Sequence, residues 1–202
     1  MKSKLLVALL LSVGILGTAS AANKYGVATE MGFESGKELY SDSRTVSIAP
    51  YYRFDSGIKL DIKLEGTRNT GHTVTGNNQD IRNSVEFRAQ HDYSITSGLT
   101  GSVRVGLGEK LNYSDKNGKL VDYSFYTVEP ILVYSTSPVV SFNTSYKFSN
   151  SLAADSYSDK TNTFKLGAGY KLTPTNEIGV KYFEKFGDVR SNGLEFVYAL
   201  DF

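Results

Sequence analysis

The chain has 202 residues, 22 Lys and Arg against 21 Asp and Glu, a formal net charge of +1, no Cys and only two His. Without cysteine there is no disulfide framework and no thiolate metal site, and two histidines at no ligand spacing give no zinc site, so neither metal nor other cofactor is expected. A near-neutral chain without a basic stripe lacks the electrostatic footprint of a nucleic-acid partner, and none is expected.

Residues 1–21 read as a secretory signal peptide. Lys2 and Lys4 precede an apolar run from Leu5 to Leu16, and Ala19-Ser20-Ala21 is a small-residue cleavage site. The run is shorter than the roughly 20 residues a membrane-spanning helix needs. The mature chain, 22–202, is expected to be a single β-barrel domain.

From Asn23 onward hydrophobicity alternates with period two. Ten strand-like segments follow, near 24–34, 43–54, 57–67, 82–95, 98–111, 121–135, 138–149, 161–172, 175–187 and 191–202. Most match or slightly exceed the roughly 9 to 11 residues that cross a bilayer at a tilt. Tight turns at 55–57, 96–98, 136–138 and 173–175 alternate with polar connections at 35–42, 68–81, 112–120, 150–160 and 187–190. This predicts an all-β fold, a closed antiparallel up-and-down transmembrane barrel of about ten strands, with both termini at the short-turn, periplasmic end. Pro50 and Pro130 fall inside strands, where a missing ladder donor predicts local bulges.

The two faces of each segment differ in kind. One carries rows such as Val46, Ile48, Tyr52 and Phe54, or Phe164, Leu166, Ala168, Tyr170 and Leu172, with few charges. The other carries Lys59, Asp61, Lys63 and Glu65, or Glu86, Arg88, Gln90 and Asp92. A basic side chain facing lipid at mid-bilayer costs about 2–4 kcal/mol, so the charged face is assigned to the lumen. Tyr25, Tyr52, Phe54, Tyr93, Tyr134, Tyr170 and Phe202 then gather near one membrane boundary. Phe33, Tyr146, Phe148, Phe164, Tyr182, Phe186 and Phe196 gather near the other, giving the two aromatic girdles of a membrane barrel.

Candidate pore-lining residues are Arg53, Lys59, Lys63, Arg88, Arg104, Lys147, Lys165, Lys171, Lys181, Lys185, Glu30 and Glu86. Lysines dominate segments seven to nine, and acids lie on or toward other walls. This predicts a field across the bore and a narrow passive diffusion channel for small hydrophilic solutes, with a mild preference for anions or acidic oligosaccharides. The alternative is a non-conducting structural or adhesin-type barrel whose lumenal charges pair and fill it, since eight-stranded barrels hold only side chains. Inward Gly26, Gly32, Gly106, Gly108, Gly167 and Gly169 leave room, whereas inward Tyr51, Phe125 and Phe183 are positioned to occupy it. No enzyme is expected: His72 sits in the connection 68–81 without a nearby Asp, and His91 and Asp92 point to opposite faces.

The terminal segment from Leu194 to Phe202 is apolar at every second position and ends in Phe. It resembles the closing strand of Gram-negative outer-membrane proteins, which implies recognition by the barrel-assembly machinery and a place in the cell outer membrane beside lipid and lipopolysaccharide. Asp115, Asp155, Asp159 and Asp188 are candidate contacts to divalent ions bridging that lipopolysaccharide. More broadly, the charge-alternating strands, as in Lys59-Leu60-Asp61-Ile62-Lys63-Leu64-Glu65, the short loops and the inward Arg and Lys resemble the oligogalacturonate-specific (KdgM-type) monomeric porins. That family has twelve strands, the alternative to the ten counted here, and the resemblance implies transport of small solutes.

Overall fold

The computed structural model describes residues 25–36, 41–73, 76–114, 119–152, 160–187 and 190–202. Ten antiparallel strands run in chain order: β1 (Tyr25–Gly36), β2 (Ser41–Arg53), β3 (Ile58–Thr73), β4 (Gly76–Thr96) and β5 (Leu99–Ser114), then β6 (Lys119–Ser135), β7 (Val140–Ser151), β8 (Thr161–Thr173), β9 (Asn176–Gly187) and β10 (Ser191–Asp201). Each pairs with its sequence neighbours, and β1 pairs with β10, so the sheet closes into a barrel with no free edge. The closing seam runs from Gly36↔Ser191 to Gly26↔Asp201, and the Phe202 amide donates to the Tyr25 carbonyl at 2.8 Å. Ten strands are observed, rather than the twelve of the alternative.

The turns follow from their residues. Gly57 and Gly98 adopt φ of +82° and +85°, a region that side chains with a Cβ rarely enter. Ser137 and Thr173 use their hydroxyls to accept from the Val140 and Asn176 amides at 3.0 and 3.1 Å, which pins the other two turns.

The polar composition of two long connections concealed strand. Most of 68–81, read from the sequence as a loop, is paired: β3 and β4 continue to Thr73↔Gly76, and β5 and β6 continue to Ser114↔Lys119. Asn, Gly and Thr there fit a hairpin in water as readily as a loop, because no apolar face is needed above the membrane. β3 to β6 therefore rise as a taller wall than their neighbours.

The expected bulges at the prolines are absent. Pro50 and Pro130 are exposed on the outer face, and the register is the same on either side of each. The ladder skips the proline and one neighbour, between Ile48↔Leu64 and Tyr51↔Asp61 and between Val128↔Phe148 and Ile131↔Ser145. The missing donor is thus absorbed as a gap on one side while the other partner strand stays paired. Register shifts occur instead beside turns, at Ser94/Thr96 and Lys171/Thr173.

Burial is inverted relative to a water-soluble protein. Val46, Ile48, Leu107, Leu166, Phe142 and Phe196 are exposed on the outer wall, Leu107 by 61%. Buried residues are mainly Ser, Thr, Gln, Lys, Asp and Glu, including Lys63, Glu86, Glu129 and Glu195. Only a surface that meets lipid makes that arrangement favourable. The girdle rings meet one another along the outer wall: Tyr25 and Tyr52 lie 4.9 Å apart, Tyr52 and Phe54 4.6 Å, and Phe33 and Phe196 6.3 Å.

Candidate functional site: the lumen

Alternation places every second side chain of all ten strands in the bore, and inward aromatic rings, three of which face a glycine on a neighbouring strand, decide how much of it they occupy. Tyr51 is directly opposite Gly26, Phe125 opposite Gly108 and Phe183 opposite Gly193. Each ring lies against the surface its glycine exposes. A Cβ on Gly108 would stand 2.7 Å from Phe125 Cζ, and one on Gly193 2.6 Å from Phe183 Cζ; on Gly26 it would collide with the Tyr51 ring. The rings thus lie along the wall instead of crossing the bore, and the inward glycines serve as their seats.

Two cavities lie along the bore among the described residues. The larger, about 410 Å³, opens toward the long connections and is lined by Glu34, Lys110, Tyr123, Phe125, Phe183 and Lys185 among others. The smaller, about 250 Å³, lies toward the short turns and termini, and its lining includes Tyr51, Arg53, Lys59, Lys171, Asn176 and Asp201. Of the twelve candidate pore-lining residues, Lys63, Glu86, Lys147, Lys165 and Lys185 border the first. Arg53, Lys59, Arg88, Arg104, Lys171 and Lys181 border the second, and Glu30 borders both.

Between the cavities runs a layer of ion pairs. Lys63 donates to Glu30 at 2.6 Å, and Lys181 sits 3.6 Å from Glu30 and 3.0 Å from Glu195. Lys165 reaches the other Glu195 oxygen at 2.9 Å. Arg88 binds Asp61 at 2.5 Å, Arg104 binds Glu129 at 3.0 Å, and Lys147 reaches from β7 to Glu86 on β4 at 3.4 Å. Every strand except β2 contributes a charge, and β2 contributes the Ser47 hydroxyl, which donates to Glu30 at 3.1 Å.

This layer corrects the expected segregation of charge. Lys147, Lys165, Lys181 and Lys185 do line one wall, but each is paired with a glutamate, Lys185 with Glu34 at 2.5 Å. The β9–β10 hairpin sets Glu195 opposite Lys181, and closure of β1 on β10 brings Glu30 and Glu34 beside them. Strand-by-strand reading of a linear sequence could not supply that neighbour. Glu129 is not among the sequence candidates, although its alternation with outward Val128 and Pro130 marks it as inward.

His91 is exposed on the outside, while Asp92 accepts from Gln90 at 2.6 Å and Ser102 at 2.7 Å. His72 belongs to β3, but its side chain lies outside the described residues, as do the signal segment 1–21, Asp115, Asp155, Asp159 and Asp188.

No family model matches the sequence, and no curated protein is similar to it. Solved structures are. An outer-membrane channel from Pseudomonas putida F1 is 9% identical, with 91% of this chain and 97% of that one covered at a TM-score of 0.58. The translocator domain of the autotransporter NalP from Neisseria meningitidis is 11% identical, over 98% and 94%, at 0.56. The NanC porin is 9% identical, over 87% and 100%, at 0.54. The chain has the fold of outer-membrane β-barrels. KdgM porins are among the similar structures, at TM-scores of 0.46 and 0.40, too low to carry an argument. At such identities the likeness speaks for architecture alone, and the lumen must speak for function.

Proposed function

We propose that the protein is a porin of the Gram-negative outer membrane, a narrow passive channel for small hydrophilic solutes with a mild preference for anions, acidic oligosaccharides among them. The observation that carries this reading is the composition of the two cavities. The upper is lined by seven basic and five acidic side chains and the lower by six and four, so each vestibule has an excess of positive charge. A low-dielectric wall concentrates that excess and draws anions to both mouths. The ion-paired layer between them is the constriction, and its side chains must hydrate or shift for a solute to pass.

A second reading is a closed barrel with a structural or adhesive role, whose lumenal charges pair across the bore as these do. Current across a planar bilayer separates the two. The channel reading expects discrete conductance steps whose anion preference falls, or inverts, when Lys165, Lys181 and Lys185 are changed to Glu. Folded protein that inserts and passes no current removes it. Export by the 1–21 signal and assembly through the strand ending at Phe202 belong to the same proposal; a chain lacking Phe202 is expected to reach the periplasm but to accumulate there unfolded.

A further inference from the structure

The lower cavity holds cations the ion-paired layer does not satisfy. Arg53 of β2 and Lys59 of β3 are directly opposed across the ladder and both point inward. Like charges in that position repel. The next residue at this level is neutral, Gln90 opposite Lys59, and beyond it comes a third cation, Arg104 opposite Gln90. Of the nearby acids, Asp61 is paired with Arg88 at 2.5 Å and Glu129 with Arg104 at 3.0 Å, Asp92 accepts from Gln90 at 2.6 Å and Ser102 at 2.7 Å, Asp201 accepts from the Tyr51 hydroxyl, and Glu177 lies opposite Lys171 across the β8–β9 ladder, away from Arg53 and Lys59 on β2 and β3. Among the described residues Arg53, Lys59 and Lys171 form no ion pair, and the Lys59 ammonium has only the Tyr51 ring, 5.3 Å away. In the same lining the Asn176 Oδ1 is buried without a hydrogen-bond partner.

We infer that the periplasmic vestibule is a binding site for a small organic or inorganic anion bearing carboxylate or phosphate groups. The anion sits between Arg53 and Lys59, and Lys171 lies in the same lining. Arg53 offers a planar fork and Lys59 a point charge, the pair of donors suited to carboxylate or phosphate oxygens. Asn176 supplies an acceptor for a ligand hydroxyl or a carried water. A volume near 250 Å³ holds a compact multivalent anion and its water, a liquid-water share being about 30 Å³. The site faces the periplasm, below the ion-paired layer. An anion arriving from that side therefore reaches it without crossing the constriction, and occupancy blocks the channel from one side only.

The inference rests on the channel reading for its blocking consequence and not for binding, so two measurements are needed. Citrate and inorganic phosphate are titrated separately into the folded barrel in detergent by calorimetry. Saturable binding of at least one is expected, weakened about tenfold or more in Lys59→Gln and in Arg53→Gln, and unchanged in Arg44→Gln on the outer wall. Both lumenal variants relieve a repulsion, so they are expected to fold. Citrate alone binding assigns a carboxylate site, and phosphate alone a phosphate site. No binding of either, or binding indifferent to Lys59 and Arg53, overturns the inference. In bilayers the anion that binds is expected to reduce current at lower concentration from the periplasmic face than from the other. Equal block from both faces refutes the one-sided position, whereas binding by a barrel that passes no current leaves the site standing and removes only the channel.

Discussion

Asp61→Asn tests how dry the ion-paired layer is. The Asp61 side chain is 2% exposed and Arg88 9%, with Nε 2.5 Å from the carboxylate oxygen. Removing one partner of a buried pair leaves the other charge uncompensated, which costs about 3–5 kcal/mol, whereas the same change in an exposed pair costs about 0–1 kcal/mol. Asn retains one acceptor for Arg88 and the lower cavity lies alongside, so a loss of about 3 kcal/mol is expected, at the low end of the buried range. Denaturant titration of the barrel folded in phospholipid vesicles measures it, with strand circular dichroism and electrophoretic mobility of the folded form as independent signals. In the double variant Asp61→Asn/Arg88→Gln no charge is left alone, and the total loss should fall short of the summed single losses by more than about 1 kcal/mol. A loss below about 1 kcal/mol for Asp61→Asn, or strict additivity in the pair, would refute the claim that these charges are held away from water.

The glycine seats give a sharper structural contrast. Gly108→Val and Gly193→Val drive side-chain atoms into the Val85 and Phe33 carbonyls as well as into Phe125 and Phe183 and should abolish folding, while Gly32→Ala, whose added carbon would meet its nearest neighbour at 3.6 Å, should fold normally by mobility shift. Leu107→Arg places a charge on the most exposed aliphatic of the lipid-facing wall and should lose about 2–4 kcal/mol if that position lies near mid-bilayer, with equal stability to wild type the contrary result. Glu195→Gln leaves Lys165 and Lys181 sharing one fewer acid and should raise anion over cation permeability in reversal-potential measurements, most visibly at low salt, where screening is weakest.

What could be read in the chain before the fold was known follows the range of the interactions involved. Alternation is local, so the ten strands, the inward charges and the outward girdles are all legible from segments such as Lys59 to Glu65. Tight turns are local as well, which is why Gly57 and Gly98 fall where the sequence places them. Pairing between strands is not. Lys165 and Lys181 find Glu195 two strands and one strand on, and Lys181 finds Glu30 only because β1 closes on β10; nothing in segments seven to nine announces these partners. The same holds for the seats of Tyr51, Phe125 and Phe183, which depend on a register that lines each ring up with one glycine on the next strand. Connections were the weakest reading because Asn, Gly, Ser and Thr signal loops only where an apolar face is otherwise required; above the membrane β3 and β4 need none.

The ionic layer bears on function through the question of why it exists. Buried ion pairs rarely stabilise more than apolar side chains of the same volume, and often less. A barrel needing only a plug could fill its middle with Leu and Phe, yet among the described residues the buried apolar side chains are few, Ala49, Tyr123, Phe125 and Phe183, and the three rings among them line the upper cavity. Phe125 and Phe183 lie on glycine seats that keep them along the wall. Space is conserved above and below the layer while the layer itself remains charged, alternating donors and acceptors that water can replace one at a time. A permanently closed wall has no need that the exchange with water serves. A constriction that admits hydrated ions requires them, since every pair that opens must find solvent or solute to take its partner's place. On that ground the ion-paired middle favours a channel over a filled cylinder, and the unpaired Arg53 and Lys59 just beneath it mark the mouth where an anion would wait.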